Sequence, residues 1–209
     1  MIRQRVRIRF RKDGDLRLIG HRDLLRTFER LLRRCGVALS MSEGFHPKPR
    51  MNFPSALALG VEGLNEVMEA ELAEPLSVEE LTRRLAAHAP AGLIINDVSL
   101  VPPGTRKAHA QLVSYELPVA RERQPALHES VAALLARESC ILTREGAGRP
   151  IDVLGGIDRL HVEDGVLSMR LKVTDQADVR PTEVLHALGA ADLVENRFCL
   201  RRTDVEVTT

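Results

Sequence analysis

Residues Ser42-Glu43-Gly44-Phe45-His46-Pro47-Lys48-Pro49-Arg50 gather an aromatic ring, an imidazole and two cations into one short segment. Such groups do recognisable chemistry on a nucleic acid. A ring stacks on an unpaired base, and cations neutralise phosphate. Pro47 and Pro49 remove two backbone donors and push His46 and Lys48 out of the helical region, so the segment is a stiff loop. Long irregular loops in compact domains serve a function or are disordered, and this one is too constrained for disorder. The plainer alternative is a rigid structural turn with Phe45 as a core plug.

His21 and His46 flank the same region. Two imidazoles within reach of one phosphate can act as general base and general acid in ribonuclease-type strand cleavage. Each can equally satisfy an ordinary hydrogen bond. No third ligand stands at a metal-binding spacing, and Cys35, Cys140 and Cys199 form no CxxC pair. A phosphate-cradling loop, a GxSxG elbow and a GxGxxG turn after a strand are all missing. The expectation is no cofactor, no metal and no catalytic activity of the chain's own.

Charge points the same way as the loop. The net charge is +1, yet residues 1–50 carry +9 and residues 51–209 carry −8. A polyanion senses the local field within a Debye length, not the net charge. Arg3, Arg5, Arg7, Arg9 and Arg11 alternate with Ile2, Val6, Ile8 and Phe10, which is the period of a strand with one cationic and one apolar face. That cationic face should meet water or an anion. Arg22, Arg26 and Arg30 recur at i, i+4 and i+8 along one flank of a helix, with Arg33 and Arg34 near its end. The helix alone reads equally well as an amphipathic surface helix with snorkelling arginines. Glu66, Glu69 and Glu71 read as a solvated acidic strand face that answers the arginine strand.

These groups must be positioned by a fold. After the first strand comes a helix over residues 22–35, with Gly36 at its C-terminal cap. Val37–Met41 reads as a short strand, and Glu66–Leu72 as another. A second helix starts near Ser77, and Ile94–Val101 closes the unit with a strand. Pro102-Pro103-Gly104 then breaks the chain, and residues 102–111 read as a linker. The pattern restarts with a strand at Val113–Val119, a helix at Pro125–Arg137 and strands at Cys140–Arg144 and within Leu160–Val173. A short helix at Pro181–Leu188 and a strand at Phe198–Val207 complete it. The fold class expected is α+β, as two tandem ferredoxin-like β-α-β-β-α-β units over residues 1–101 and 112–209. No apolar run spans a membrane, and the arginine-rich start is no secretory signal, so a cytoplasmic location without membrane contact is expected.

Residues 20–72 resemble the radical-SAM-linked proteins of unknown function, which are encoded beside, or fused to, a radical S-adenosylmethionine enzyme. The residues that carry the resemblance are His21, Asp23, Leu24, Ser42, Gly44, Phe45, Pro47, Pro49, Arg50, Leu59, Gly60, Val61, Glu62 and Glu66. The chain lacks the CxxxCxxC triad of such an enzyme, so the resemblance implies the partner half. At the level of fold the tandem layout is similar to that of CRISPR-repeat endoribonucleases and to the RNA-facing sheets of tRNA pseudouridine synthases. Three functions stand side by side. The first is an RNA-binding accessory protein that presents tRNA or rRNA to a radical SAM enzyme, with Arg3, Arg5, Arg7, Arg9, Arg22, Arg26, Phe45, His46, Lys48 and Arg50 on the RNA. The second is an endoribonuclease using His21 and His46. The third is a protein–protein scaffold for the radical SAM partner.

Overall fold

The structure is a computed structural model of the 209-residue chain. It describes residues 4–144, 150–174, 178–194 and 200–208. The fold mixes helices and antiparallel strands, and the chain divides into two compact units. Met1–His109 with Val207–Thr209 form the first, and Ala110–Glu206 the second. The residues expected to be a linker therefore belong mostly to the first unit.

In the first unit β1 (Gln4–Lys12) pairs antiparallel with β3 (Glu62–Leu72) on one side and with β4 (Leu93–Val101) on the other. β2 (Met51–Asn52) pairs antiparallel with β3, which gives the order β4-β1-β3-β2. The alternation in β1 does what period two requires. Val6, Ile8 and Phe10 are fully buried, while Arg5, Arg7, Arg9 and Arg11 lie on the opposite face. Two helices, α1 (His21–Arg34) and α2 (Val78–His88), supply the other half of the core. Leu24, Phe28, Leu31 and Leu32 come from α1, and Leu81 and Leu85 from α2.

The ends of both helices are fixed by local chemistry. Ser77 caps α2 by accepting the Glu80 amide at 3.2 Å. α1 stops in a Schellman motif. Val37 N–H donates to the Leu32 carbonyl at 2.9 Å and Gly36 N–H to the Arg33 carbonyl at 3.1 Å. Gly36 takes φ +68°, the left-handed conformation that this cap needs. Arg84 of α2 and Cys35 then bind each other, guanidinium to carbonyl and thiol to carbonyl, each at 3.3 Å. Burial pushes the Cys35 thiol up, although Arg84 and Arg34 pull it down, which leaves an inert thiol.

Between the sheet and α1 sit three phenylalanines. Phe10 meets Phe28 at 4.8 Å and Phe53 at 6.2 Å, and Phe28 meets Phe53 at 5.7 Å, all edge to face. Lys12 and Glu66 are also buried, at 1 % and 3 % exposure. Lys12 lies opposite Gly63 in the register and donates to the Ile19 carbonyl at 2.8 Å. A Cβ at Gly63 would strike the Glu66 Cγ at 2.5 Å, so the buried Glu66 side chain lies directly over this glycine.

The second unit contains β5 (Ala110–Pro118), α3 (Gln124–Leu135), β6 (Ile141–Thr143), β7 (Pro150–Asp152), α4 (Val153–Gly156), β8 (Ile157–Glu163), β9 (Val166–Lys172), α5 (Pro181–Ala187) and β10 (Arg201–Val207). Its strands follow the order β10-β5-β9-β8. β6 and β7 form a separate two-stranded ribbon, so the strand expected at Cys140–Arg144 stands outside this sheet. The run Leu160–Val173 is a hairpin. Asp164 and Gly165 take φ 49° and 77°, which is the type I′ turn that a two-residue connection favours. In the first unit Val37–Met41 makes only single bridges, Leu39 to Leu72 and Met41 to Pro49.

Phe28 lies within the aromatic cluster, with no exposure. Phe28→Ala should destabilise the protein by about 3–5 kcal/mol, as truncation of a buried Phe does. Urea unfolding followed by circular dichroism measures this.

Candidate functional site

The proline loop interrupts an edge of the first sheet. Ser40 N–H donates to the Glu71 carbonyl at 2.8 Å, and Glu71 N–H donates to the Arg50 carbonyl at 3.0 Å. One residue of β3 thus serves both the outgoing and the returning chain. Arg50 N–H closes the base by donating to the Ser40 carbonyl at 2.8 Å. Farther out, Ser42 N–H donates to the Lys48 carbonyl at 2.8 Å, and the Lys48 amide donates to the Ser42 hydroxyl at 2.9 Å. The Arg50 side chain ties the arm down on both flanks. Its Nε donates to the Met41 carbonyl at 3.1 Å, and Nη1 stands 3.7 Å from the Glu71 carboxylate.

Everything beyond this staple is in water. Glu43, Gly44, His46, Pro47 and Lys48 are exposed, and Phe45 at the tip is fully exposed. Gly44 takes φ +119°, a conformation that side chains other than hydrogen rarely adopt. Phe45 is therefore no core plug. Beside the base of the arm runs an open groove of about 360 Å³, walled by Glu29 and Arg33 of α1 and by Val37, Leu39, Met41 and Pro49. Met41 is 45 % exposed. Arg22, Arg26, Arg30, Arg33 and Arg34 are all exposed along α1, and Arg26 stands 3.3 Å from Asp23.

The arginine strand is placed quite differently. Arg7 donates to Glu69 through Nη2 at 2.9 Å and Nε at 3.2 Å, and through Nη2 to the Thr208 carbonyl at 3.4 Å. Arg5 donates to the carbonyls of Thr105 and Arg106 at 2.6 and 3.0 Å and stands 3.9 Å from Glu69. Glu69 is only 2 % exposed and also accepts the Ala108 amide at 3.3 Å. Asn52 holds the same strap through the Ala108 carbonyl at 3.0 Å. Residues 105–108 and Thr208 thus cover this end of the cationic face. The expected acidic face is divided: Glu66 is buried on the core side opposite Phe10, and Glu69 is buried on the arginine side. Arg11 pairs with Asp13 at 2.7 Å, and Arg9 has an interaction partner within the protein. Arg3 lies outside the described residues.

His21 and His46 are anchored by different elements. His21 opens α1 and packs edge-on against Phe53 at 5.5 Å. The arm stands beside Glu29 and Arg33, two to three turns further along α1, about 12 Å or more by the helix rise. Among the described residues no group of three His, Cys, Asp or Glu is placed to hold a metal ion. No described helix is long and apolar enough to cross a membrane. Sequence reasoning missed the strap and the groove. The strap is polar chain with no periodicity to mark it. The groove wall at Met41 stands beside the loop signature, where it reads as flank.

The first unit is thus a helix-backed antiparallel sheet that holds out a stapled arm with an aromatic tip. The chain belongs to the family described as "Uncharacterized protein conserved in bacteria (DUF2344)", which matches residues 5–181. No curated protein matches it. Two solved structures match over nearly the whole chain. One, an unknown protein from Galdieria sulphuraria, is 13 % identical over 99 % of this chain and 99 % of its own, with a TM-score of 0.30. The other, a putative glycine cleavage system transcriptional repressor, is 10 % identical over 100 % and 99 %, with a TM-score of 0.30.

The two roles of the basic segment make opposite demands on stability. Glu69→Ala should cost about 3 kcal/mol, because it leaves Arg5 and Arg7 partly buried with no counter-charge. Phe45→Ala should change stability by less than about 0.5 kcal/mol, because nothing packs on that ring. Parallel urea titrations of the two variants separate the structural end of the segment from the presented end.

Proposed function

We propose that the protein is an RNA-binding accessory protein of the cytoplasm that holds tRNA or rRNA for a radical S-adenosylmethionine enzyme and does no chemistry itself. The observation that carries this reading is the fully exposed Phe45 on a hydrogen-bonded arm. Phe10, Phe28 and Phe53 are packed together, so this fold has a use for buried rings and still leaves Phe45 in water. A ring presented on a stiff arm loses little entropy when a base stacks on it. Lys48 on the arm and the exposed arginines of α1 supply the phosphate contacts.

The RNA surface proposed is therefore Phe45, His46 and Lys48 with Arg22 and Arg26, extended along α1 to Arg30 and Arg33, while Arg50 braces the base of the arm. Arg5 and Arg7 are committed to Glu69 and the strap, and they serve the fold. Both units read as ferredoxin-like from the orders β4-β1-β3-β2 and β10-β5-β9-β8, which support a sheet-backed platform for RNA. The radical SAM partner rests on the resemblance of residues 20–72.

Salt titration of RNA binding tests this. Labelled tRNA and a single-stranded oligonucleotide are each followed by anisotropy. Phe45→Ala should weaken binding by about 1–3 kcal/mol with an unchanged salt slope, because stacking releases few ions. Reversing Arg22, Arg26 and Arg30 together should weaken it and flatten the log–log slope by roughly one to two units, at about 0.7 per phosphate on a single strand. Wild-type protein that binds neither RNA at low salt overturns the reading and moves the protein scaffold ahead.

A further inference from the structure

The groove beside the arm has a more specific chemistry than a general RNA surface. Its floor and one wall are apolar, made by Val37, Leu39, Met41 and Pro49. The other wall is the last half of α1, which contributes one carboxylate, Glu29, and one guanidinium, Arg33. It opens alongside the staple, next to the chain that carries Phe45. A groove of about 360 Å³ has room for a single nucleotide.

Resting on the RNA-binding reading above, we propose that this groove receives one unpaired nucleotide turned out of its stack, and that it favours guanine. The flat faces of a base suit the apolar side of the slot, where Met41 adapts to their shape. Arg33 is placed for the phosphate of the extruded nucleotide. Phe45 fills the complementary role by stacking on a base beside the gap. Glu29 decides which base enters. A carboxylate is acceptor-only, so it needs a base edge that presents donors. Guanine offers N1–H and the N2 amino group side by side, which a carboxylate accepts in parallel. Uracil offers one N–H between two carbonyl oxygens that repel the carboxylate. Cytosine and adenine each present one amino group next to an acceptor.

The experiment uses the full chain and four RNA hairpins that share one stem. One is fully paired, and the others carry a single bulged G, U or A. Wild type should bind the bulged-G hairpin about tenfold more tightly than the bulged-U hairpin, the scale of one good bidentate base contact. The paired hairpin should bind more weakly than any bulged one. Glu29→Gln should keep the preference for a bulge and lose most of the preference for G over U. Ala38→Trp, at an exposed position on the groove's rim, should fill the slot without changing charge. It should abolish the preference for a bulge while leaving affinity for the paired hairpin unchanged. Circular dichroism establishes that both variants fold. Equal binding of paired and bulged hairpins by wild type overturns the groove assignment and leaves RNA binding standing. Bulge preference without base preference, or base preference that survives Glu29→Gln, overturns the choice of guanine. Absence of binding to every hairpin removes the RNA reading, and the groove assignment with it.

Discussion

The geometry of the candidate site descends from the two backbone hydrogen bonds of Glu71. Its carbonyl takes the Ser40 amide and its amide donates to the Arg50 carbonyl. A residue in a strand normally meets one neighbour on each side. Here one neighbour position is shared by two chain positions that are far apart in sequence. Residues 41–49 cannot then lie in the sheet and must project from it. The edge strand continues on the far side, where Met51 pairs with Ala70 and Asn52 with Glu69. The arm is thus an insertion within an edge strand, closed at its base, and its stiffness comes from that closure together with Pro47 and Pro49. Because Phe53 follows directly and packs on Phe10 and Phe28, the returning chain is anchored in the core as soon as it re-enters.

The same sheet divides the cations of the first fifty residues into two sets with different physics. On β1 the period-two pattern puts arginines in a row on one face, where like charges within a few ångströms destabilise the strand unless they are answered. They are answered in place. Arg7 pairs with Glu69, its register partner on β3, and Arg5 stands 3.9 Å from the same carboxylate. The strap from Thr105 to Ala108 completes the neutralisation with backbone carbonyls and with the Ala108 amide on Glu69. On α1 the arginines stand on the outward half of an amphipathic helix whose inward half is fully occupied by Leu24, Phe28, Leu31 and Leu32. Those arginines face solvent, with Asp23 as a weak exposed partner of one of them. Charge counted along the sequence overstates what a ligand can reach.

Much of this was legible before the structure, for reasons that differ from element to element. The strand at residues 4–12 and the helix at residues 21–34 carry strong periodicities, and burial of their apolar faces leaves few alternatives. The loop was legible because two prolines and a glycine exclude regular structure. The hairpin at Asp164-Gly165 carried a signal that a longer apolar alternation masked, since the two flanking strands read as one run. The ribbon of β6 and β7 was not legible, because a three-residue strand looks the same whether it joins a sheet or leaves it. Least legible was the partnering of the arginine strand. Which carboxylate meets which guanidinium depends on the register of β1 against β3 and on chain brought back from residues 105–108 and 208.

That division also explains why one short segment can hold both a fold determinant and a presented surface. The buried ion pairs and the aromatic cluster hold β1, β3 and α1 in one arrangement, and that arrangement sets where Ser40 and Arg50 meet Glu71. The arm needs no packing of its own, so its side chains are free to be chosen for contact with something else. A residue such as Phe45 then contributes nothing to stability in the free protein and can contribute in full when a partner covers it. The groove beside it gains a different kind of selectivity, because its apolar side belongs to the arm's base and its charged side to α1. A ligand that bridges the two must match a flat apolar surface, a carboxylate and a cation at once. The single nucleotide proposed for the groove has a group for each of the three.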